Sequence, residues 1–470
     1  MQTKKTVKAC TPCEVEIIDI GSTGEGIGRV DGLAVFVDGG VPGDVVKARI
    51  DRIKRNYARG SLLEVLKPSP DRHEGFCVYG GICGGCRLQH VDYGAQLKYK
   101  EKWVRDCLVR IGGVGDPLVY PVLGMDKPVR YRNKAVFTVG RVRGKEKKIR
   151  GCDIGFFKAG SGEVVNCDTC MIQTEAAEKV AEVLRGYIKR NKVPVYDHES
   201  GTGVIRNVIV KTAFGTGEVM VILVATHGQL PEMELLVTDL DRAVGELPDL
   251  FLESVILNVN RNKRGEVLGK DWLTVAGKTT IKDIVCGLNL EISPQSFYQV
   301  NPVQMERLYE KVAEFADLTG SETVFDLYCG VGTIGLYLAK KAQKVIGIEA
   351  VEDAILDANR NAVLNGIVNV EYICGRAEEE MAKLMEEGKG GLKADVVVID
   401  PPRAGCDPQL LKLISHTLPQ RVVYVSCDPA TMARDVKILC AGGYDFIKAQ
   451  PVDMFPHTGS TETVALLKRR

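Results

Sequence analysis

Several residues have the types and spacing that chemistry needs. Asp326-Leu327-Tyr328-Cys329-Gly330-Val331-Gly332-Thr333 lies between an apolar strand-like run and a helical one. Glycines there let the backbone turn tightly and approach a ligand. Glu349 follows 23 residues after Asp326, at the end of the next strand-like run. A carboxylate at that place can hold ribose hydroxyls. The third glycine of the dinucleotide fingerprint is missing, which argues against a nicotinamide cofactor.

The fourth such run ends in Asp400-Pro401-Pro402-Arg403 and the fifth in Ser426-Cys427-Asp428-Pro429. An acid followed by prolines resembles the substrate-side motif of class I methyltransferases, so S-adenosylmethionine fits the glycine loop better. Strands four and five should be neighbours, which would stand Cys427 beside Asp400. A thiol just before a helix can be acidified by the helix N-terminus. Glu462 precedes the last strand-like run. Together these suit one reaction. A thiolate adding to carbon 6 of a uracil makes an enolate, and carbon 5 can then attack a methyl sulfonium. A carboxylate must next remove the carbon 5 proton so that the thiol can leave.

Fifteen cysteines are many for a chain whose opening segment, MQTKKTVKACTPC, lacks the apolar region of a secretory signal. A cytoplasmic setting is expected, where disulfides are rare and metal or catalytic roles gain weight. Cys107, Cys152, Cys286, Cys374 and Cys440 read as small buried residues. Cys10-x2-Cys13 has no matching second pair. Cys77-x5-Cys83-x2-Cys86, interleaved with Gly80, Gly81, Gly84 and Gly85, forms a loop able to wrap a metal centre. A cubane cluster needs four ligands, and Cys167 and Cys170 are the candidates for the fourth. Four thiolates also suit zinc.

The elements that must position these groups can be read from the patterning. The chain has 470 residues, 45% apolar and 26% charged, with net charge +1. That composition is globular, and no apolar run approaches the ~20 residues of a membrane span. Residues 14 to 66 read as short strands of an OB-like barrel, with a turn at Val41-Pro42-Gly43-Asp44. Arg52, Lys54, Arg55 and Arg59 surround Tyr57, a pattern suited to phosphate contact with base stacking. Residues 68–72 look like a linker, and Gln96 to Ile111 reads as a helix. Between Lys127 and Arg150 lie Arg130, Arg132, Lys134, Arg141, Arg143, Lys145, Lys147 and Lys148, with Tyr131 and Phe137 interleaved. Two basic patches in a neutral chain favour a polyanion partner. From 291 onward strand-like and helical runs alternate, as in a parallel sheet covered on both faces.

Taken together, the motifs resemble the bacterial RNA uracil-5 methyltransferases, specifically the 23S ribosomal RNA type with a TRAM domain and an iron–sulfur cluster. The resemblance rests on GSTGEGIGRVDGLAVFV, the Cys77–Cys83–Cys86 spacing, Phe297 to Asn301 (FYQVN), DLYCGVGT, DPPRAG, SCDP and HTGSTETV. It implies a multidomain α/β and β architecture. Residues 1–68 would be the OB-like TRAM barrel that binds RNA. Residues 69–290 would be a mixed α+β domain holding a [4Fe-4S] cluster, and 291–470 a Rossmann-like class I methyltransferase. It further implies Cys427 as nucleophile and Glu462 as base. Gln299, Tyr328, Glu349 and Asp400, with Thr333 as a lesser candidate, would hold S-adenosylmethionine. Cys77, Cys83, Cys86 and Cys170 would hold the cluster, Cys170 being preferred because Met171-Ile172 matches the apolar pair that follows the family ligand. Two departures stand out. Ser460-Thr461-Glu462-Thr463 replaces the family's His-Val-Glu-Thr, and Arg376 stands where an Asp or Asn meets the adenine. The implied partner is 23S ribosomal RNA, with transfer RNA as the alternative, no membrane and no obligate protein partner. Rival readings are an amino-group methyltransferase using DPPR directly and a non-catalytic RNA-binding factor.

Overall fold

The computed structural model describes residues 10–143, 149–263, 265–386 and 393–470. Lys145, Lys147 and Lys148 of the second basic stretch lie outside these residues.

Five strands, Pro12–Ile20, Glu25–Val30, Leu33–Asp38, Val45–Ile53 and Tyr57–Lys67, close into a barrel. Alternation along them sends Val15, Ile17, Val35, Val37, Val46, Ala48 and Ile50 inward. The turn at residues 41–44 is closed by Asp44, whose carboxylate accepts the Val41 amide at 2.7 Å. Arg72 pairs with the same carboxylate at 2.6 Å, so the segment after the barrel is pinned to it. At the Tyr57 patch, Tyr57 meets Phe36 edge-on at 5.5 Å and Arg59 pairs with Glu25 at 3.2 Å.

The helix expected from Gln96 spans Tyr93–Arg110. It starts earlier because Asp92 caps it, accepting the Ala95 amide at 3.1 Å. Trp103 Nε1 donates to the Ile20 carbonyl at 2.8 Å. Ile20, Val41, Leu88, Val91, Ala95 and Trp103 thereby share a small core between barrel, cysteine loop and helix.

The middle of the chain forms a seven-stranded sheet. One face carries the helices Glu175–Asn191 and Met233–Gly245, through Val180, Leu184, Leu236 and Leu240. From the other face Ile209, Met220 and Ile222 join a core with the hairpin Ile281–Val285/Leu288–Ile292 and the helix Pro302–Ala316. Strands Ile205–Thr212 and Glu218–Ala225 are buried along their whole length; the second carries the apolar run Val219 to Ala225, while the first buries Arg206, Asn207 and Lys211 on hydrogen bonds to carbonyls.

The basic stretch from Lys127 needs correction. Tyr131 and Phe137 are each 1% exposed and belong to the interior, so they offer no stacking surface. Arg130 is tied to Glu178 at 2.5 Å and Arg141 to Asp197 at 3.2 Å. The expected burial of five cysteines also needs correction. Cys374 is exposed, and Cys107, Cys152, Cys286 and Cys440 are only half-buried. Cys374 ends Val370–Cys374, an edge strand of its sheet among the described residues.

The last sheet has seven strands in the spatial order Val370–Cys374, Lys344–Glu349, Thr323–Leu327, Val396–Ile399, Arg421–Ser426, Glu462–Arg469 and Tyr444–Val452. The first five are parallel. Glu462–Arg469 inserts antiparallel between the fifth and Tyr444–Val452. Helices cover both faces, as the alternating pattern requires. Among the described residues no helix is long and apolar enough to cross a membrane.

Candidate active site

In open α/β sheets ligands bind beyond the carboxyl ends of the strands, and the chemistry-bearing residues gather there. Asp326 is fully buried near the end of the strand Thr323–Leu327, and its carboxylate accepts the Gly335 amide at 2.8 Å. Burial raises its carboxyl to about 7, with Asp400 and Glu349 adding to the rise and the Gly335 amide opposing it. The glycine loop turns through positive φ at Tyr328 (63°), Gly330 (54°) and Gly332 (79°). Glycine is required at 332, since a Cβ there would stand 2.4 Å from the Tyr372 hydroxyl. Glu349 accepts the Gly330 amide at 3.1 Å and the Val351 amide at 3.0 Å. The acid therefore shapes the loop as well as facing the cavity.

That cavity has a volume of ≈ 550 Å³, and Tyr328, Glu349, Arg376, Glu378 and Asp407 are on its walls. Arg376 does not stand alone: its Nε donates to Glu378 at 2.5 Å, so the wall also carries a carboxylate. Asp400 and Gln299 do not line this cavity among the described residues. Gln299 is 8% exposed, with its carbonyl accepting from Asn133 Nδ2 at 2.8 Å. Thr333 meets the Tyr309 hydroxyl at 2.6 Å.

Sheet register brings the thiol to the carboxylates. Val396–Ile399 pairs with Arg421–Ser426, so Asp400 and Cys427 leave adjacent strands at the same end. Ser426 is opposite Thr463, and Glu462 is opposite Val452. Cys427 is half-buried and Glu462 is 4% exposed. Burial pushes the Glu462 carboxyl up to about 8; Asp400 raises it further and Arg403 opposes. Burial likewise lifts Asp400 to about 7. The Cys427 thiol is pushed up to about 11 by burial and by Glu462 and Asp400, against the pull of Arg403.

The expectation that a helix end acidifies Cys427 does not fit this arrangement, in which the thiol is raised rather than lowered. The following helix, Pro429–Ala441, is capped by Asp428, whose carboxylate takes the Ala430 and Thr431 amides at 2.9 and 3.0 Å. The free amides are already used and a negative charge sits at the cap. Arg403 is the cation that acts on the thiol. It stands within the DPPR motif, and a cation three residues after that acid is the signal available for it.

A second gathering surrounds a cavity of ≈ 390 Å³ whose walls include Cys77, Cys83, Cys86, Cys167, Cys170, Arg132 and Lys134. Cys86 is pushed up to about 12 by burial and by the nearby Cys170, Cys77 and Cys83. Cys167 is hydrogen-bonded to Cys83, which pulls the Cys83 thiol down to about 6 and Cys167 up. Arg132 Nε is buried with no partner. Among the described residues, no three of His, Cys, Asp and Glu close on a single point as they would around one metal ion.

The sheet order, the glycine loop and the acid at the next strand end define a class I S-adenosylmethionine-dependent methyltransferase fold. Comparison with known proteins narrows this. The tRNA (Uracil-5-)-methyltransferase family profile matches residues 256–470, and the TRAM domain profile matches 12–63. An uncharacterised RNA methyltransferase of Caldanaerobacter subterraneus subsp. tengcongensis is 45% identical over 98% of this chain and 99% of its own. Another, from Halalkalibacterium halodurans, is 43% identical over 97% and 96%. The crystal structure of the Pyrococcus abyssi tRNA (uracil-54, C5)-methyltransferase in complex with S-adenosyl-L-homocysteine matches with a TM-score of 0.75 and 29% identity, over 97% of this chain and 100% of that one. The chain belongs to the TRAM-bearing RNA (uracil-5-)-methyltransferase family. It is an enzyme that uses S-adenosylmethionine and acts on RNA.

Proposed function

We propose that the enzyme transfers a methyl group to carbon 5 of a uridine in 23S ribosomal RNA through a covalent adduct on Cys427. The observation that carries this is the meeting of Cys427, Glu462, Asp400 and Arg403 at the ligand end of one sheet. In the first step the Cys427 thiol gives up its proton to solvent water and the thiolate sulfur bonds to carbon 6. The ring electrons move onto the carbonyl as an enolate. Arg403 beside the sulfur favours the thiolate form. Carbon 5 then attacks the methyl of S-adenosylmethionine, releasing S-adenosylhomocysteine. The Glu462 carboxylate finally takes the carbon 5 proton, the carbon 5–carbon 6 double bond reforms and the Cys427 thiolate leaves. Burial raises the Glu462 carboxyl to about 8, which makes it a stronger base than an exposed glutamate.

In this reading Tyr328, Glu349, Asp400 and Gln299 hold the cofactor, the first two from the walls of the ≈ 550 Å³ cavity. A thiol cannot reach carbon 6 inside a paired helix, so the target uridine is in a loop or flipped from its stack. Residues 1–68, 69–290 and 291–470 are read as RNA-binding, cysteine-bearing and catalytic domains of a cytoplasmic protein.

Cys77, Cys83, Cys86 and Cys170 are read as ligands of a [4Fe-4S] cluster. Three observations support the fit. Cys77, Cys83, Cys86 and Cys170 are all on the walls of one cavity of ≈ 390 Å³, and a cubane cluster takes four thiolates. The Cys86 thiol is raised by burial and by the nearby Cys170, Cys77 and Cys83. Arg132 and Lys134 bring positive charge to the same cavity, with Arg132 Nε unpartnered, which suits an anionic group. The cluster would supply no step of methyl transfer; its place is structural.

The ribosomal assignment rests on the motif resemblance. A transfer-RNA target is the second reading, favoured by the likeness to the Pyrococcus abyssi tRNA enzyme. Mass mapping of 5-methyluridine in ribosomal and transfer RNA, with and without the gene, separates them. Loss confined to one 23S position supports the first reading, and loss confined to transfer RNA overturns it.

A further inference from the structure

Glu462 opens the last strand, and residues 453–461 deliver it there from the strand Tyr444–Val452. This segment is held from several sides. Lys100 Nζ pairs with Asp453 at 2.6 Å, with both side chains fully buried. Tyr93 donates to the same carboxylate at 2.9 Å, and Lys100 also donates to the Phe455 carbonyl at 3.1 Å. Tyr131 donates to the Pro456 carbonyl at 3.1 Å. Gly459 lies against the barrel, where a Cβ would stand 1.8 Å from the Ser22 carbonyl oxygen.

His457 is the most constrained point. Its φ is +66°, a conformation that costs a non-glycine residue energy and persists only where surroundings enforce it. The His457 amide donates to Gln96 Oε1 at 3.1 Å, and its carbonyl accepts the Leu88 amide at 2.9 Å. Nε2 donates to the Pro128 carbonyl at 3.0 Å, and Gln96 Nε2 donates to Nδ1 at 3.2 Å. Phe76 packs edge-on against the imidazole, with ring centroids 4.6 Å apart. Phe76 immediately precedes Cys77, whose amide donates to Gln89 Oε1 at 3.1 Å within the same cysteine-bearing loop. Leu88, which holds the His457 carbonyl, lies two residues after Cys86.

We propose that Phe76 and His457 form a brace through which the cysteine-bearing loop fixes the 453–461 segment and so aims the Glu462 carboxylate at the carbon 5 proton. Phe76 is a positioning residue: it touches no reacting atom and acts through His457. The brace gives the cysteine loop a role in the elimination half of the reaction, and it rests on the reading of Cys427 and Glu462 given above.

Steady-state kinetics of the Phe76→Ala enzyme with uridine-containing RNA test it, together with denaturing gels that reveal covalent protein–RNA adduct. A misaimed base slows elimination but leaves addition intact. The expected result is a fall in kcat of about tenfold with an unchanged KM for RNA. Adduct with ordinary uridine should accumulate during turnover, and Phe76→Tyr should restore wild-type behaviour. Gln96→Leu reaches the same imidazole from the helix side and should give the same signature, so the proposal stays testable if Phe76→Ala folds poorly. A fall in kcat without accumulating adduct, or no fall in either variant, overturns the brace. Capture of the wild type on 5-fluorouridine RNA separates the two readings. Normal capture with unchanged elimination in the variants defeats the brace alone, whereas no capture defeats the nucleophile reading and the brace with it.

Discussion

Cysteine sulfurs gather in two regions of this enzyme with opposite surroundings. Around Cys427 one thiol faces two carboxylates, the buried Glu462 and the half-buried Asp400, and the cation Arg403. Around the ≈ 390 Å³ cavity several thiols face Arg132 and Lys134 with no carboxylate on the walls. A thiol among acids resists ionisation until a substrate draws on it, and its neighbours can move protons. Thiols among cations make a site for an anionic group and contain no proton acceptor of that kind. The residue type is the same, and the neighbours decide between nucleophile and ligand.

That contrast can be broken in order of size. Cys427→Ala should abolish turnover by about 10⁴-fold or more and end capture by 5-fluorouridine RNA, with visible absorbance and Tm unchanged; residual activity near wild type would favour the amino-group reading. Glu462→Gln should cut kcat by roughly 10²–10⁴-fold while trapping methylated RNA on the protein, seen as a shifted gel band. Cys86→Ala and Cys170→Ala should lose bound iron and lower Tm, measured by iron assay and calorimetry. Cys167→Ala should keep the iron, and its loss there would move the fourth ligand to Cys167.

The smallest effect concerns pH. Glu462 must be ionised to act as base, and its carboxyl stands at about 8, so kcat should rise with pH through that region. Arg403 lowers both the Glu462 and Cys427 values. Removing it in Arg403→Gln raises both, which moves the rising limb to higher pH, by about one unit. A pH–rate profile that stays in place would deny Arg403 this influence.

Much of the catalytic fold was legible in the sequence because its signals are local. Alternating apolar strands and helices gave the sheet, and strand ends such as Asp400 and Cys427 followed from the motifs. Register was not legible. Nothing in TETV says that Thr463 pairs with Ser426 or that the last strand inserts between two others, yet that insertion brings Glu462 to the thiol. The helix-end argument failed because Asp428, the residue after the thiol, caps the helix itself. The basic stretch divides between interior and cavity. Tyr131, Ala135 and Phe137 point inward while Arg132, Lys134 and Val136 line the cysteine cavity. A period of two in RYRNKAVF carried that division. The meeting of Cys83 with Cys170, across 87 residues of sequence, has no local signal and came only from resemblance.

The account depends most on a sulfur–carbon bond at position 427. Peptide mapping by mass spectrometry of the enzyme captured on 5-fluorouridine RNA with S-adenosylmethionine tests this directly. The predicted product is a single peptide containing Cys427 that carries a methylated fluorouridine. A wild-type enzyme that methylates uridine normally but yields no such peptide, or yields one joined through another residue, would contradict it.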